Sequence, residues 1–434
     1  MNNKILKLAG PSILANITVP LVGMADLAIA GRLGDAAAIG GIAIGTMLFD
    51  LLYWNLGFLR VGTGGKAAQA YGRRDFRESI NVLVQSLGTA LIAALFLLAI
   101  QYFYIVGAFA VLDTTPVVEQ MAREYFFIRI WAAPATLTLF SFKGWFIGMQ
   151  NTVSPMITDI IVNISNILLS ILFAFPMKMG IAGIALGTVT AQYIGLGSAI
   201  FLMNNYYKKL FKYINIRASL KIKEMKEFFV LNGNLFLRSA SLLLVYSGFT
   251  ALSARYGEEL LAVSTIMMKL MLLYSYLVDG FAYAGEALAG RYIGARDILS
   301  LKRAVRLLFL WTFVIAAVST VAYMAAGETI FGLLTNNREV IEAASPFMPW
   351  LLLVPVISCV AFMWDGIYIG ATASSAIRNT MIISAAAFFI VFYATERFAG
   401  IQALYLAYSA HLIIRSVMMT VMSGKEVFGK LISG

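Results

Sequence analysis

The run Asn16-Ile17-Thr18-Val19-Pro20-Leu21-Val22-Gly23-Met24-Ala25-Asp26-Leu27-Ala28-Ile29-Ala30-Gly31-Arg32 sets one carboxylate inside an otherwise apolar stretch. An ionised carboxylate at the centre of a hydrocarbon layer costs about 2.5 to 3.5 kcal/mol, so an acid there implies a partner or a task. Pro20 stands six residues before Asp26. A proline within a helix removes a backbone hydrogen bond and predicts a kink, tolerated in a membrane only where protein or water satisfies the freed carbonyl. The bland alternative is that Asp26 lies level with Arg32 at the interface. A second polar set stands farther along: Asn163, Asn166 and Ser170 recur at i, i+3 and i+7, and Thr188 adds a hydroxyl. Residues so spaced share a helix face. One carboxylate with several amide and hydroxyl oxygens suits a carboxyl proton site or a small monovalent-cation site. Ordinary interhelical hydrogen bonding, worth about 0.6 kcal/mol per bond, is the competing account.

The elements that must position these groups follow from composition. Of 434 residues, 60% are hydrophobic and 13% charged, and the mean hydropathy is +0.83. Such a chain is an all-α polytopic membrane protein. Twelve apolar spans are expected, near 5–31, 37–70, 78–104, 117–149, 154–176, 181–206, 225–253, 259–293, 301–326, 338–371, 377–396 and 400–422. The first is too long for a signal peptide and lacks a small-residue cleavage site. The net charge of +11 forms no nucleic-acid patch. Lys4, Lys7, Arg73, Arg74, Arg77, the basic run Lys208 to Lys223, Arg296, Lys302, Arg303, Arg306, Lys425 and Lys430 fall on one side; Asp35, Asp113, Glu119, Glu258, Glu259 and Glu328 fall on the other. The positive-inside rule then predicts a cell inner-membrane protein with both termini cytoplasmic. Cys359 is the only cysteine, which excludes an intrachain disulfide and a Cys metal site.

The chain repeats. Gly57-Phe58 returns as Gly280-Phe281, Gly72-Arg73-Arg74-Asp75 returns as Gly294-Ala295-Arg296-Asp297, and Phe146-Ile147-Gly148 returns as Tyr368-Ile369-Gly370, at offsets of 222 to 223. Six spans in each half keep both in one orientation, which predicts two lobes related by a pseudo-twofold along the membrane normal. The expected domains are residues 1–207, a cytoplasmic linker 208–223, and 224–434. The halves differ where chemistry is expected: Asp26 aligns with Phe249, and Asn166 and Ser170 align with Phe388 and Phe392.

Other motifs are weaker. The run Gly62-Thr63-Gly64-Gly65-Lys66-Ala67 has Arg60 where a phosphate loop needs glycine and Ala67 where it needs Ser or Thr, so no ATP site is expected. His411 is the sole histidine, leaving triad or metal chemistry without partners. Arg238, Asp279 and Glu286 predict a charge pair across spans 7 and 8, or a second ionisable relay joined by Asp365, whose repeat mate is Lys143. Most of the twenty methionines and thirty phenylalanines are assigned to core and lipid contact. Phe140, Trp145, Met149, Met267 and Tyr283 are candidates for a soft, promiscuous chamber wall.

Pro20 through Asp26 with Gly31, the run Trp54 to Thr63, and the run Asp279 to Leu288 together resemble the multidrug and toxic compound extrusion (MATE) transporters, in their DNA-damage-inducible F branch. The resemblance spans the whole chain. It implies two six-helix lobes, a central substrate chamber, and efflux of organic cations driven by inward flow of protons or sodium. It also implies that Asp26 is the coupling acid, with Asn166 and Thr188 on positions lining the family's cation site. Ser170 departs from the members that carry a second acid there, and Lys66 departs from a commoner apolar residue.

The functional expectation is a secondary antiporter, not an enzyme, exporting lipophilic or cationic organic compounds by alternating access. Protons are favoured over sodium because the site offers one acid. No cofactor, no nucleic acid and no metal beyond a monovalent cation are expected, and a monomer in the bilayer is. Three rivals are a flippase for a lipid-linked oligosaccharide, which calls for fourteen spans and a basic cavity, an intramembrane enzyme such as an acyltransferase, which needs a nucleophile with a base, and a non-transporting sensor or scaffold.

Overall fold

The structure, a computed structural model, describes residues 1–32, 36–112, 114–334 and 338–429, and within them all side chains except those of residues 19–21, 36, 222–224, 328, 330, 332–334 and 338. Sixteen α-helices and short 3-10 or π turns account for the ordered elements, with no β-strand among the described residues. In the first half these are α1 (Asn2–Arg32), α2 (Ala36–Leu56), α3 (Phe58–Arg73), α4 (Phe76–Phe109), α5 (Pro116–Arg129), α6 (Ala133–Gly148), α7 (Val153–Ala174) and α8 (Gly180–Tyr207). The single turn α9 (Ile216–Ser219) follows. The second half holds α10 (Ile222–Ser253), α11 (Glu258–Gly294), α12 (Ile298–Leu334), α13 (Arg338–Ala344), α14 (Met348–Gly370), α15 (Ser374–Ala399) and α16 (Gln402–Ser423). Among the described residues twelve helical stretches are long and apolar enough to cross a bilayer, one at each expected position. Pairs α2/α3, α5/α6 and α13/α14 each make one such stretch. Large apolar side chains left exposed, among them Ile92, Leu95, Phe96 and Phe103 on α4, have hydrocarbon as their natural solvent.

By its contacts the chain divides into two units, Leu14–Phe229 and Met1–Ile13 with Val230–Gly434. This division differs from the expected boundaries in two places. The segment after α8 packs within the first unit: the Ser219 hydroxyl donates to Asn81 Oδ1 at 2.8 Å, and Gln85 Nε2 donates to the Ser219 carbonyl at 3.3 Å, both from α4. The start of α1 packs within the second unit. There a Cβ on Gly280 would stand 3.1 Å from the Ala9 carbonyl oxygen and 2.3 Å from Ile13 Cγ1, so glycine permits the close approach.

The repeat is legible in backbone detail inside each unit. Left-handed residues end equivalent helices: Arg74 and Arg296 (φ 59° and 55°), Gln150 and Thr372 (64° and 51°), Lys178 and Gly400 (56° and 53°). Asp75 and Asp297 then cap the next helix, accepting from the backbone N–H of Glu78 and Ser300 at 2.9 Å each. Close helix packing repeats as well. A Cβ on Gly144 would lie 2.1 Å from the Arg60 carbonyl oxygen and one on Gly148 2.6 Å from that of Gly64. In the second unit a Cβ on Gly366 would lie 2.1 Å from the Ala282 carbonyl oxygen and one on Gly370 2.4 Å from that of Glu286. Two glycines four residues apart let each helix pair touch backbone to backbone.

Candidate functional site

Asp26 lies well inside α1, six residues from its C-terminal end at Arg32, and is only 6% exposed. Its Oδ1 has no hydrogen-bond partner among the described residues. Around it the end of α1 joins an apolar cluster of Ile29, Ala30, Ala38, Ile42, Tyr125, Ala174, Ile184 and Ala185, drawn from α1, α2, α5, α7 and α8. A buried carboxyl without a donor is costly as an anion and inexpensive as a neutral acid. The kink expected at Pro20 falls on a side chain outside the described residues; Asp35 and Asp113 lie outside them too.

At the end of α5 stands Arg129, a cation inside an expected span that the sequence reading did not single out. Its Nη1 donates to the Tyr125 hydroxyl at 2.8 Å and to Thr46 Oγ1 at 3.2 Å. The guanidinium sits 4.8 Å from the centre of the Phe49 ring and 5.4 Å from that of Tyr125, an arrangement in which ring quadrupoles attract the cation. Its field acts on Asp26, on Asp50 and Tyr53 of α2, and on Tyr125. Gly45 makes room: a Cβ there would lie 2.5 Å from the Tyr125 ring.

The amide and hydroxyl groups fall into separate contacts. Asn163 Nδ2 donates to Thr18 Oγ1 at 2.7 Å, tying α7 to α1. Asn166 Nδ2 donates to Thr188 Oγ1 at 2.8 Å, tying α7 to α8, and Asn166 Oδ1 is left without a partner among the described residues. The Ser170 hydroxyl faces the Ile184 carbonyl at 3.4 Å, and a Cβ on Gly187 would come within 2.6 Å of Ser170 Oγ. Among the described residues no hydrogen bond joins these four to Asp26. Thr18 lies two helical turns, about 12 Å, before Asp26, so the Asn163 contact sits at a different level.

The second unit carries its own charge cluster. Arg238 Nη2 meets Asp365 Oδ2 at 2.8 Å and Arg415 Nη2 meets the same oxygen at 2.5 Å. The pair expected across spans 7 and 8 is thus made from span 7 to span 10, and Arg415 of α16, another residue the sequence reading passed over, completes it. Asp279 acts electrostatically on the neighbouring Tyr246, Glu286 is fully buried, and Tyr408 lies 6.2 Å from the His411 ring. Lys143, repeat mate of Asp365, pairs with Asp159 at 2.6 Å, so the same position holds an ion pair of opposite sign. At the mates of the first unit's polar set, Phe249, Phe388 and Phe392 are buried in the apolar core.

The chamber candidates separate. Trp145 is fully buried, donates to the Ser79 carbonyl at 2.9 Å and packs edge-on to Tyr207; Met149 accepts from the Ser79 hydroxyl at 3.1 Å. Met267 is likewise enclosed in the second unit's core. These three side chains serve packing and offer no free surface in this conformation. Phe140, edge-on to Tyr53 at 6.5 Å, and Tyr283 are partly exposed. Lys66 reaches Glu227 at 3.6 Å, and the glycine run that precedes it is helical, within α3, not a phosphate-binding loop.

One family model, MatE, matches residues 11–172 and again residues 235–395. The chain belongs to the MatE family. This MatE chain is 34% identical over 416 residues to DNA damage-inducible protein F of Escherichia coli strain K12, covering 95% of the chain and 90% of that relative. It is 21% identical to Multidrug export protein MepA of Staphylococcus aureus, over 86% of the chain and 84% of that relative. A solved outward-facing multidrug resistance MATE family transporter superimposes with a TM-score of 0.89 at 17% identity, covering 98% of the chain and 96% of that structure. A solved MOP superfamily transporter from Pyrococcus furiosus gives a TM-score of 0.85 at 19% identity, covering 99% of the chain and 96% of that structure. Both share the fold. MatE proteins are transporters and not enzymes, so this chain is a multi-pass inner-membrane transporter, with its two family matches falling one in each half.

Proposed function

We propose that this MatE chain is a proton-coupled antiporter that exports lipophilic or cationic organic compounds by alternating access between its two lobes, working as a monomer with both termini in the cytoplasm. The observation that carries the reading is Asp26: a carboxyl enclosed in the first span, unpartnered at Oδ1, with Arg129 within electrostatic range. Such a group gains a proton from the outer side with little reorganisation and changes the packing of α1 when it does. Moving one charge down the membrane potential supplies roughly 2.3 kcal/mol per 100 mV. A sodium ion would find one acid and neutral Asn163, Asn166, Ser170 and Thr188, which favours the proton. The names of the relatives, a multidrug export protein and a multidrug and toxin extrusion protein of rabbit, support the substrate class.

The test is flux of a fluorescent lipophilic cation in proteoliposomes with pH and sodium gradients imposed separately. Wild-type flux should follow the pH gradient in sodium-free buffer, and Asp26→Asn should abolish it while the protein still accumulates in the membrane. Flux that needs sodium and ignores the pH gradient would overturn the proton reading. Asp26→Asn transporting at the wild-type rate would overturn the coupling role itself.

A further inference from the structure

The chain between the two halves carries cations and apolar surface together. From 208 to 223 it holds no acid, and Lys208, Lys209, Lys212, Arg217 and Lys221 are all exposed. Interleaved with them, Phe211, Ile214, Ile216 and Leu220 are exposed as well. Local structure fixes their setting. α8 passes into a 3-10 turn at Lys208–Tyr213, Ile214 is extended, and the Asn215 side chain caps α9 by accepting from the Ala218 N–H at 3.1 Å. α9 is clamped along α4: the Ser219 hydroxyl donates to Asn81, the Ser219 carbonyl accepts from Gln85, and a Cβ on Gly88 would lie 2.9 Å from Leu220 Cδ2. At 1.5 Å per residue, Asn81 and Gly88 stand about 8 and 18 Å along α4 from its start at Phe76. The exposed apolar face of α4 begins one turn farther, at Leu91 and Ile92. The segment therefore lies beside a span, with Leu220 near the edge of the hydrocarbon, and does not project into water as a free loop.

We propose that residues 208–221 form an interfacial binding surface for anionic phospholipid, with Ile216 and Leu220 among the upper acyl chains and the cations on the headgroup phosphates. A segment of this kind is held by two terms at once, burial of apolar side chains and attraction of Lys and Arg to anionic headgroups. A soluble acidic partner or free phosphate would match the charge and leave the apolar side chains in water. Zwitterionic lipid would cover them and leave the positive charges unanswered. The whole surface belongs to the first unit and is independent of the ion that drives transport.

The test places a probe inside the surface. Ile216→Cys in a Cys359→Ala background, labelled with bimane and reconstituted in phosphatidylcholine vesicles, reads the lipid beside the segment. Phosphatidylglycerol and phosphatidylcholine, each spin-labelled at the same upper acyl carbon and added at the same low mole fraction, should both quench the probe, phosphatidylglycerol several-fold more strongly. That preference should nearly vanish in about 1 M salt, where the screening length is about 3 Å. Adding Lys209→Gln, Lys212→Gln, Arg217→Gln and Lys221→Gln should remove the preference while quenching by phosphatidylcholine persists. Removing four exposed cations elsewhere, by Arg296→Gln, Lys302→Gln, Arg303→Gln and Arg306→Gln, should leave the preference intact. No quenching by either lipid would put the segment in water and overturn the assignment in favour of a soluble partner. Equal quenching by both lipids, or equal loss of preference in the two quadruple variants, would overturn it as well. If the first quadruple variant fails to fold, a preference unmoved by salt overturns it instead.

Discussion

At the scale of single residues, one rule decided what could be seen from the sequence: an ionisable side chain inside an apolar span needs a reason. It exposed Asp26 because the acid stands alone among alanines, leucines and glycines. It applied equally to Arg129, Asp50 and Arg415, all within expected spans, but Arg129 follows Glu119, Arg123 and Glu124 and reads as the polar end of a helix. Which carboxylate an arginine meets was illegible, since span order does not fix span neighbours; hence Arg238 was paired with span 8 while the structure gives it Asp365. That network makes a prediction of its own. Asp365 is the acceptor of both arginines, so Asp365→Asn leaves two enclosed cations without it and should destabilise the protein by about 3 to 5 kcal/mol. Adding Arg415→Met should recover part of the loss. Thermal unfolding in detergent checks both, and a single variant as stable as wild type would show that the network contributes no stability.

At the scale of elements, the positions of the helices were legible because a bilayer imposes length and apolarity on each one. Their turns were legible only as repeated letters, and the structure gives the letters a cause: a left-handed residue, then an aspartate that caps the next helix. Asp297 lies outside the spans, and hydrogen bonds from the Ser300 hydroxyl and backbone N–H hold its carboxyl below the usual carboxylate range. A carboxyl lowered on folding stabilises above its unfolded value, near pH 4, and the contribution is lost as pH falls through the lower folded value. Asp297→Ala should therefore cost about 1 kcal/mol at neutral pH, with the gap to wild type closing as the pH is taken below about 4. Asp75→Ala should cost a similar amount at neutral pH. A gap for Asp297→Ala that persists in acid would mean the carboxylate is not the cap. The glycine contacts give a harsher test. Gly144→Ala and Gly366→Ala each drive a methyl to 2.1 Å from a backbone carbonyl, which no side-chain rotation relieves, so each should cost about 3 kcal/mol. Gly233→Ala, with nothing near its Cβ, is the control and should be close to neutral.

At the scale of the whole chain, the duplication was legible because it recurs at a constant offset, and the loss of polar groups in the second half was legible at Phe249, Phe388 and Phe392. The division of the chain was not, because hydropathy records depth in the membrane and says nothing of neighbours: residues 1–13 read as part of the first span, yet they pack with the second unit, while residues 208–229 read as linker or as the start of span 7 and pack with the first. Cys359 reports on this arrangement. It is the only cysteine, is 1% exposed and lies in the core of the second unit, so its reaction with a thiol reagent measures how often that unit opens. Gly280→Ala would press a methyl onto Ile13 and the Ala9 carbonyl and lever the start of α1 away from the second unit. Cys359 should then be modified several-fold faster, or at a lower temperature, than in wild type. Gly57→Ala, at the repeat-equivalent position in the first unit, meets only the carbonyls of its own turn, Trp54 at 3.1 Å and Tyr53 at 3.8 Å, and should leave Cys359 protected. Equal acceleration in both variants would mean that the two units open as one cooperative body, and no acceleration in Gly280→Ala would mean that the first thirteen residues contribute nothing to the unit they touch.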